Sequence, residues 1–94
     1  MATQLRRYEV AEGGLDRLVE WFPKIIPVRE KYGFTVNFAY ADRDTGEFVW
    51  SVSHPGDFTA AEADYAGSPE RTAAFEGFDN PITAMHISMI EEVV

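Results

Sequence analysis

The sequence predicts an α+β fold in which helices pack on one face of a four-stranded antiparallel sheet. Apolar residues recur at every second position in four stretches and at every third or fourth position in two others, which are the periods of strands and of amphipathic helices. These stretches follow one another in the order β-α-β-β-α-β. A chain of 94 residues has the size of one domain, so we expect residues 1–94 to form a single domain.

A glycine turn separates the first strand from the first helix. Residues 5–10 (LRRYEV) are predicted to form a short strand that ends before Gly13 and Gly14. From Leu15 to Gly33 the apolar positions follow the helical period, and a glycine is a common residue at the end of a helix. The residues predicted to form the apolar stripe of this helix are Leu15, Leu18, Val19, Phe22, Ile25, Ile26 and Tyr32.

Two prolines lie inside this predicted helix. Pro23 and Pro27 each lack a backbone N–H and therefore bend a helix that contains them. Both project on the polar side, where the freed carbonyl groups can be hydrated. We therefore expect one continuous helix with a kink that is convex toward water.

The middle of the chain is predicted to form a hairpin, and the segment after it is predicted to form a second helical region. Residues 34–41 and 47–53 alternate strictly and are joined by the turn 42–46. Residues 57–77 are predicted to be helical in two pieces. Thr59 with Glu62 resembles a capping box, and Ser68-Pro69 (SP) is typical of a helix start. With a last strand at residues 82–90, the order is that of a ferredoxin-like sandwich.

Alternation gives the sheet two faces of different character. The face predicted to pack on the helices is large and apolar and consists of Phe34, Val36, Phe38, Tyr40, Phe48, Trp50, Val52, Met85, Ile87 and Met89, with Tyr8 and Val10. The opposite face is small and polar and consists of Thr35, Asn37, Ala39, Val49, Ser51, Ser53, Ala84, His86 and Ser88, with Arg7 and Glu9. Because solvated sheet faces usually carry longer charged side chains, this face is predicted to meet another protein surface.

Charge and composition exclude several classes of function. The net charge is -8 and the pI is near 4.5, so the chain repels phosphate backbones and anionic lipid, and neither nucleic acid nor a membrane surface is an expected partner. The absence of cysteine excludes disulfides and thiolate catalysis. No apolar run approaches the roughly 20 residues of a membrane span, and the start of the chain lacks the apolar core of a signal peptide. We therefore expect a cytoplasmic protein.

Three runs of the sequence are similar to a known family. The opening LRRYEV, the run KIIPVREKYGF (Lys24–Phe34) and the run SPERTAAF (Ser68–Phe75) together resemble the NIPSNAP family, in which a PxREKxGF-like helix leads into the second strand and a D/S-P-E-W-like turn precedes a phenylalanine. The resemblance extends over Gln4–Val94. The chain has Arg71 or Thr72 where that pattern has tryptophan, so no role of the tryptophan is carried over.

The resemblance implies an assembly as well as a fold. The family resembles the dimeric α+β barrels, in which two ferredoxin-like sheets pack face to face around a lumen. The small polar face would then line that lumen, and the expected partner is a second copy of the chain. The family has no single established activity, so the resemblance implies no particular reaction.

His86 is the candidate catalytic residue. In a ferredoxin-like sheet the last strand neighbours the first, which is expected to bring His86 close to Arg7 or Glu9. An imidazole held by a carboxylate is suited to act as a general base near pH 7. The alternative interpretation is a histidine that makes a structural hydrogen bond at a dimer interface. The residues predicted to contact a bound substrate are Arg7, Asn37, Ser51, Ser53 and Ser88.

Neither a metal nor a cofactor is expected. Two histidines without cysteine, and without HxH or HExxH spacing, do not make a zinc site, and His54 is expected in an exposed loop. The turn from Asp42 fails as a calcium loop because Gly46 and Ser53 occupy its fifth and twelfth positions. Haem-binding members of the wider barrel superfamily use a helical histidine, and the predicted helices contain none.

Three functions are compatible with these observations. The first is a homodimer that binds a small, partly apolar molecule in or beside the lumen. The second is a cofactor-independent monooxygenase or isomerase in which His86 removes a proton and Asn37 or Arg7 stabilises the anion. The third is a non-catalytic interaction module with a closed lumen. A pocket between sheet and helices is a further possibility, but its aromatic residues are interpreted as core: Trp50, Phe38, Phe22 and Tyr65.

Overall fold

The computed structural model describes residues 1–94 as four strands and four short helices. In chain order they are β1 (Ala2–Val10), α1 (Leu15–Trp21), α2 (Ile26–Lys31), β2 (Thr35–Asp42), β3 (Glu47–His54), α3 (Phe58–Ala66), α4 (Pro69–Phe75) and β4 (Ile82–Ile90). The strands form one antiparallel sheet in the order β2-β3-β1-β4. The predicted α+β, ferredoxin-like fold is confirmed. None of the helices is long and apolar enough to cross a membrane.

The first helical segment is broken and not merely kinked. A short 3₁₀ helix, Phe22–Lys24, separates α1 from α2. Pro23 lies in the first turn of this 3₁₀ helix, and Pro27 lies in the first turn of α2. The prediction of one continuous helix was therefore wrong, because a residue without an N–H fits best where a helix begins. The segment ends, as predicted, at Gly33, whose φ of 88° and whose approach to His54 both require the absence of a side chain.

The second helical region lies in the predicted range but has a different first cap. The N-cap of α3 is Asp57, whose carboxylate accepts a hydrogen bond from the backbone N–H of Ala60 at 3.0 Å. Thr59 lies inside the helix, so the predicted capping box of Thr59 with Glu62 was wrong. The predicted cap of α4 is confirmed, since the Ser68 hydroxyl accepts from the backbone three residues later.

A β-bulge in β2 reverses which of its later residues face the helices. Val36 pairs with Val52 and Phe38 pairs with Ser51, so Asn37 is an extra residue in the ladder. Beyond a bulge the alternation shifts by one position. Phe38 and Tyr40 therefore face away from the helices and Ala39 faces toward them, opposite to their predicted sides.

The core lies between the sheet and the helices. Its buried apolar residues are Tyr8, Leu18, Trp21, Phe22, Ile25, Phe34, Phe48, Trp50, Val52, Phe58 and Tyr65. Met85, Ile87 and Met89 of β4 lie on this side as predicted, but they remain 52%, 46% and 54% exposed. The helices therefore leave the outer edge of the sheet, along β4, uncovered.

The other side of the sheet has no helix on it, and we call it the open face. From the strand register it consists of Thr3, Leu5, Arg7, Glu9, Thr35, Asn37, Phe38, Tyr40, Glu47, Val49, Ser51, Ser53, Ala84, His86, Ser88 and Ile90. Its predicted polar residues are present. The bulge adds two aromatic rings, Phe38 and Tyr40, whose centroids are 5.4 Å apart. The open face is therefore more apolar than the sequence indicated.

Candidate functional site

The open face brings His86 next to two charged residues of β1. The His86 Nε2 atom lies 2.7 Å from the Glu9 Oε2 atom, and Arg7 is directly opposite His86 in the ladder. The predicted neighbourhood of His86 is confirmed. Arg7 also pairs with Glu47, with 3.5 Å between Nε and Oε2. When the Glu9 carboxylate accepts from Nε2–H, the lone pair of Nδ1 is left free to take a proton.

A second polar group on the open face is centred on Asn37. Its Nδ2 atom donates to the Ser53 hydroxyl at 2.8 Å and to the Ser51 hydroxyl at 3.2 Å. The Ser53 hydroxyl also shares a 2.9 Å hydrogen bond with Thr3. Both serines are buried although they lie on a face without helices. These polar groups are therefore already paired within the chain.

The predicted site residues fall into two groups. Leu5 is opposite Ser88 on one side and opposite Ser51 on the other, so an apolar side chain lies between them. Arg7, His86 and Ser88 lie on the β1–β4 side, whereas the Asn37 group lies on the β2–β3 side. No hydrogen bond joins the groups, and no cluster of three potential metal ligands is present on either side of the sheet.

A cavity of about 110 Å³ lies on the opposite side of the sheet, between the strands and the helices. Trp50, Phe22 and Tyr65 line it, so the pocket that the sequence left as an alternative exists. Phe38 does not contribute, because the bulge turns it to the open face. The exposed residues Met85 and Asn80 also line the cavity and mark the side on which it meets solvent.

Arg29 is the most deeply buried charged residue of this cavity. Only 2% of its surface is exposed. Its guanidinium carbon lies 3.9 Å from the ring centroid of Tyr65, 4.9 Å from that of Phe34 and 5.2 Å from that of Trp50. Both terminal nitrogens approach the Glu62 carboxylate, which makes a two-point ion pair. Aromatic faces and one carboxylate therefore replace the water around this cation.

Glu62 serves a second arginine as well. The Arg6 Nη1 atom lies 3.8 Å from the Glu62 Oε1 atom, and the Arg6 Nε atom donates to the Tyr8 hydroxyl at 2.7 Å. The same Nη1 atom donates to the Gln4 side chain at 2.8 Å. Arg6 is thus held by neighbours on its own strand, while Glu62 lies between two guanidinium groups.

Two buried donors, on side chains that line the cavity, have no acceptor. They are the Arg29 Nε–H and the Trp50 Nε1–H. The other tryptophan differs, since the Trp21 Nε1 atom donates to the Ala74 carbonyl at 2.8 Å. Buried polar groups without a hydrogen-bond partner are uncommon in native proteins, and each one requires an explanation. Here both belong to side chains that line the same cavity.

The cavity carries an excess of positive charge. Arg71 is the third arginine in its lining and has no carboxylate partner within 4.0 Å; its guanidinium carbon lies 4.4 Å from the Phe75 ring centroid. The lining therefore contains three guanidinium groups and one carboxylate, that of Glu62, which is an excess of two positive charges. Burial raises the pKa of Tyr65 against the opposing effect of Arg29 and Arg71, so its phenol is neutral at pH 7.

A polar clamp beside the cavity joins α2 to α4. Glu70 accepts hydrogen bonds from Lys31 Nζ at 2.9 Å and from the Tyr32 hydroxyl at 2.6 Å. These two bonds lower the pKa of Glu70 to about 2. The same contacts raise the pKa values of Lys31 and Tyr32. The clamp fixes the end of the helix that carries Arg29 against the start of the helix that carries Arg71.

Arg6, Arg29 and Glu62 were not among the candidates from sequence, although two of them left a signal. Arg29 follows Ile25 by four positions and Phe22 by seven, which places a charge on the apolar stripe of the helix. Arg6 has the same parity as Tyr8 and therefore the same side of the sheet. Glu62 was assigned to a capping box, and that assignment hid its role as their partner.

Known proteins match this chain in structure. No protein-family model matches the sequence, and no curated protein matches it. Solved structures do match. A NIPSNAP domain protein from Burkholderia xenovorans superposes with a TM-score of 0.82 at 10% identity, covering 99% of this chain and 95% of that one.

Two further structures extend the comparison. A NIPSNAP family protein of unknown function from Agrobacterium tumefaciens gives a TM-score of 0.82 at 12% identity, covering 96% of this chain and 86% of that one. An antibiotic biosynthesis monooxygenase gives 0.72 at 11% identity and full coverage of both chains. The predicted resemblance is confirmed in structure, and at these identities what is shared is the fold. The chain has the fold of NIPSNAP-domain proteins and of antibiotic biosynthesis monooxygenases.

Proposed function

We propose that this protein is a homodimer that binds a small, partly apolar molecule in the cavity between the sheet and the helices. The observation that carries the proposal is the cavity itself, which is lined by aromatic rings and by two side chains that carry unpartnered donors. Its volume of about 110 Å³ is close to the ~150 Å³ of an apolar cavity that holds a benzene ring. Ligand pockets combine such walls with a few placed polar groups.

The open face is less suited to a ligand of this kind. Asn37, Ser51 and Ser53 already satisfy one another there. The ligand contacts predicted for these three residues, and for Arg7 and Ser88, remain predictions. An NMR titration with single-ring compounds tests them together with the cavity.

Ligand binding is tested by NMR with a matched pair of variants in α3. Ala66 lines the cavity and Ala63 does not, although both are exposed residues of the same helix. Single-ring compounds are titrated into the ¹⁵N-labelled protein. We expect shifts at cavity residues that disappear in Ala66→Phe, which fills the space, and persist in Ala63→Phe. Shifts confined to the open face, or no shifts, would contradict the cavity as the site.

The homodimer is supported by the character of the open face. Leu5, Val49, Phe38 and Tyr40 expose apolar surface there, and Tyr40 is 67% exposed. A chain of this length buries only about 60 to 65% of its unfolded surface, so a second copy would add core that one copy lacks. Packing of two open faces also provides the apolar environment that these side chains would otherwise lack.

Native mass spectrometry measures the assembly directly. We expect the wild-type protein as a dimer and Leu5→Glu as a monomer, because the substitution places a charge at the centre of the open face. Val19→Glu adds the same charge on the helical side, where Val19 is 36% exposed, and is expected to leave the dimer intact. A monomeric wild-type protein would refute the homodimer.

Proton transfer at His86 is the second candidate function, and the contact between His86 and Glu9 favours it. In such a reaction, Nδ1 takes a proton from the carbon next to a carbonyl, and Arg7 stabilises the enolate that forms. Deuterium uptake from D₂O by hydroxyacetone, an enolisable ketone, tests it. Uptake that is lost in His86→Ala while the dimer persists supports catalysis; the same uptake in both proteins excludes it.

A further inference from the structure

The polar groups of the cavity wall identify the chemical class of ligand. We propose that the cavity takes a planar, single-ring carboxylate of about the size of benzoate. This inference rests on the proposed function, since it needs the cavity to be a binding site. It adds the sign of the ligand's charge and the atoms that recognise it.

Charge balance is the first argument. Arg29 is almost fully buried, and its carboxylate partner Glu62 is shared with Arg6. Arg71 has no carboxylate partner, although it lines the same cavity. Removing cations from water is costly unless they are paired. A second carboxylate, supplied by a ligand, would reduce the excess of positive charge in this cavity from two to one.

The unpartnered donors are the second argument. The Arg29 guanidinium carbon lies 5.2 Å from the Trp50 ring centroid, so the two side chains whose N–H groups lack acceptors are neighbours. A carboxylate offers two oxygens that accept several hydrogen bonds and offers no donor. A cationic ligand has the opposite polarity and would face three guanidinium groups. The donor set therefore selects an anion.

The walls and the volume of the cavity limit the shape and size of the ligand apart from its carboxylate. The rings of Phe22, Trp50 and Tyr65 line the cavity and suit a flat apolar body. A space of about 110 Å³ has no room for a nucleotide or for a sugar phosphate. The net charge of -8 repels anions at long range, so recognition depends on these local contacts and disfavours multiply charged ligands.

The two indole groups give a direct readout of the bound anion. In a ¹⁵N-labelled protein each tryptophan shows one indole N–H resonance. The resonance that disappears in Trp50→Phe belongs to Trp50. Benzoate is expected to shift that resonance, and the change in chemical shift should saturate as the benzoate concentration rises. The Trp21 resonance is expected to move much less, because its N–H already donates to a carbonyl.

Charge is tested with benzamide, a neutral molecule of the same shape. Because charge-assisted hydrogen bonds are about twice as strong as neutral ones, we expect benzoate to bind about tenfold more tightly than benzamide. Arg71→Gln should remove most of that preference. Arg43→Gln serves as the control, since Arg43 pairs with Asp16 and does not line the cavity.

The outcomes separate this inference from the proposed function. A clear benzoate preference that Arg71→Gln removes and Arg43→Gln keeps supports the carboxylate ligand. Equal binding of benzoate and benzamide at the cavity overturns the inference and leaves the cavity as a binding site for neutral molecules. If neither compound shifts the Trp50 resonance or its neighbours, both the inference and the proposed function are overturned.

Discussion

The two faces of the sheet treat polar groups in opposite ways. On the open face, Asn37 is paired with two serines and His86 with Glu9. On the helix side, two donors are buried without an acceptor, on Arg29 and Trp50. A face whose polar groups are satisfied can pack against another surface without loss. A face with unsatisfied donors gains when a molecule brings the missing acceptor.

The largest expected effect tests the buried charge on the helix side. Glu62→Leu leaves Arg29 buried without its carboxylate. We expect a loss of about 3 kcal/mol in the free energy of unfolding, at the low end of the usual range for breaking a buried pair because Glu62 is partly exposed. Urea denaturation followed by circular dichroism measures it.

Glu47→Leu is the matched control on the open face. Glu47 and Glu62 have nearly equal side-chain exposure, 28% and 29%, but the arginine partner is 48% exposed for Glu47 and 3% for Glu62. Surface pairs contribute about 0 to 1 kcal/mol, so the control should change stability by no more than that. Equal losses in the two variants would remove the contrast between the faces.

The two tryptophans sharpen the comparison within the core. Trp21→Phe leaves the Ala74 carbonyl without its donor, whereas Trp50→Phe removes an N–H that has no acceptor. Both changes delete the same atoms from buried sites. We expect Trp21→Phe to cost about 1 kcal/mol more than Trp50→Phe in the free energy of unfolding. A larger cost for Trp50→Phe would indicate that its N–H already has a partner, such as a buried water.

The clamp at Glu70 adds a dependence on pH. Since its pKa is lowered from 4.5 to about 2 in the folded chain, the stabilisation is complete above pH 4.5 and is lost as the pH falls toward 2. Glu70→Gln should therefore be less stable than the wild type at neutral pH and equal to it near pH 2. Thermal unfolding at several pH values tests this, and a difference that persists at pH 2 would contradict it.

The smallest effect is expected at His86. Its pair with Glu9 is about half exposed on both sides, so His86→Ala should change the free energy of unfolding of one copy by less than about 1 kcal/mol. Denaturation at low protein concentration, where the proposed dimer would dissociate, measures this. A large loss would show that the histidine is structural within one copy and would weaken its candidacy as a base.

The order of elements along the chain, the pairing of the first and last strands and most of the faces followed from the sequence, and the exceptions have identifiable causes. Alternation alone placed Phe48, Trp50 and Val52 correctly. It failed for Phe38 and Tyr40 because one extra residue in a ladder leaves no mark in the residue pattern. Prediction of a bulge requires knowledge of the partner strand, which is a long-range property.

The cavity was harder to predict than the fold. Aromatic residues at core positions give the same sequence pattern whether or not a space remains between them. A cavity depends on how all the side chains pack together, which the pattern does not show. Arg29 was the usable signal. A charge at an apolar position of a helix indicates a buried partner, and such a partner is often part of a site.

The exposed edge at β4 has a consequence for the behaviour of the protein in solution. Met85, Ile87 and Met89 form an apolar strip along a strand with free backbone groups, which is the usual nucleus of edge-to-edge aggregation. Mutual repulsion between chains of net charge -8 opposes that process at neutral pH. Near the pI of 4.5 the repulsion vanishes, so solubility should be lowest near that pH.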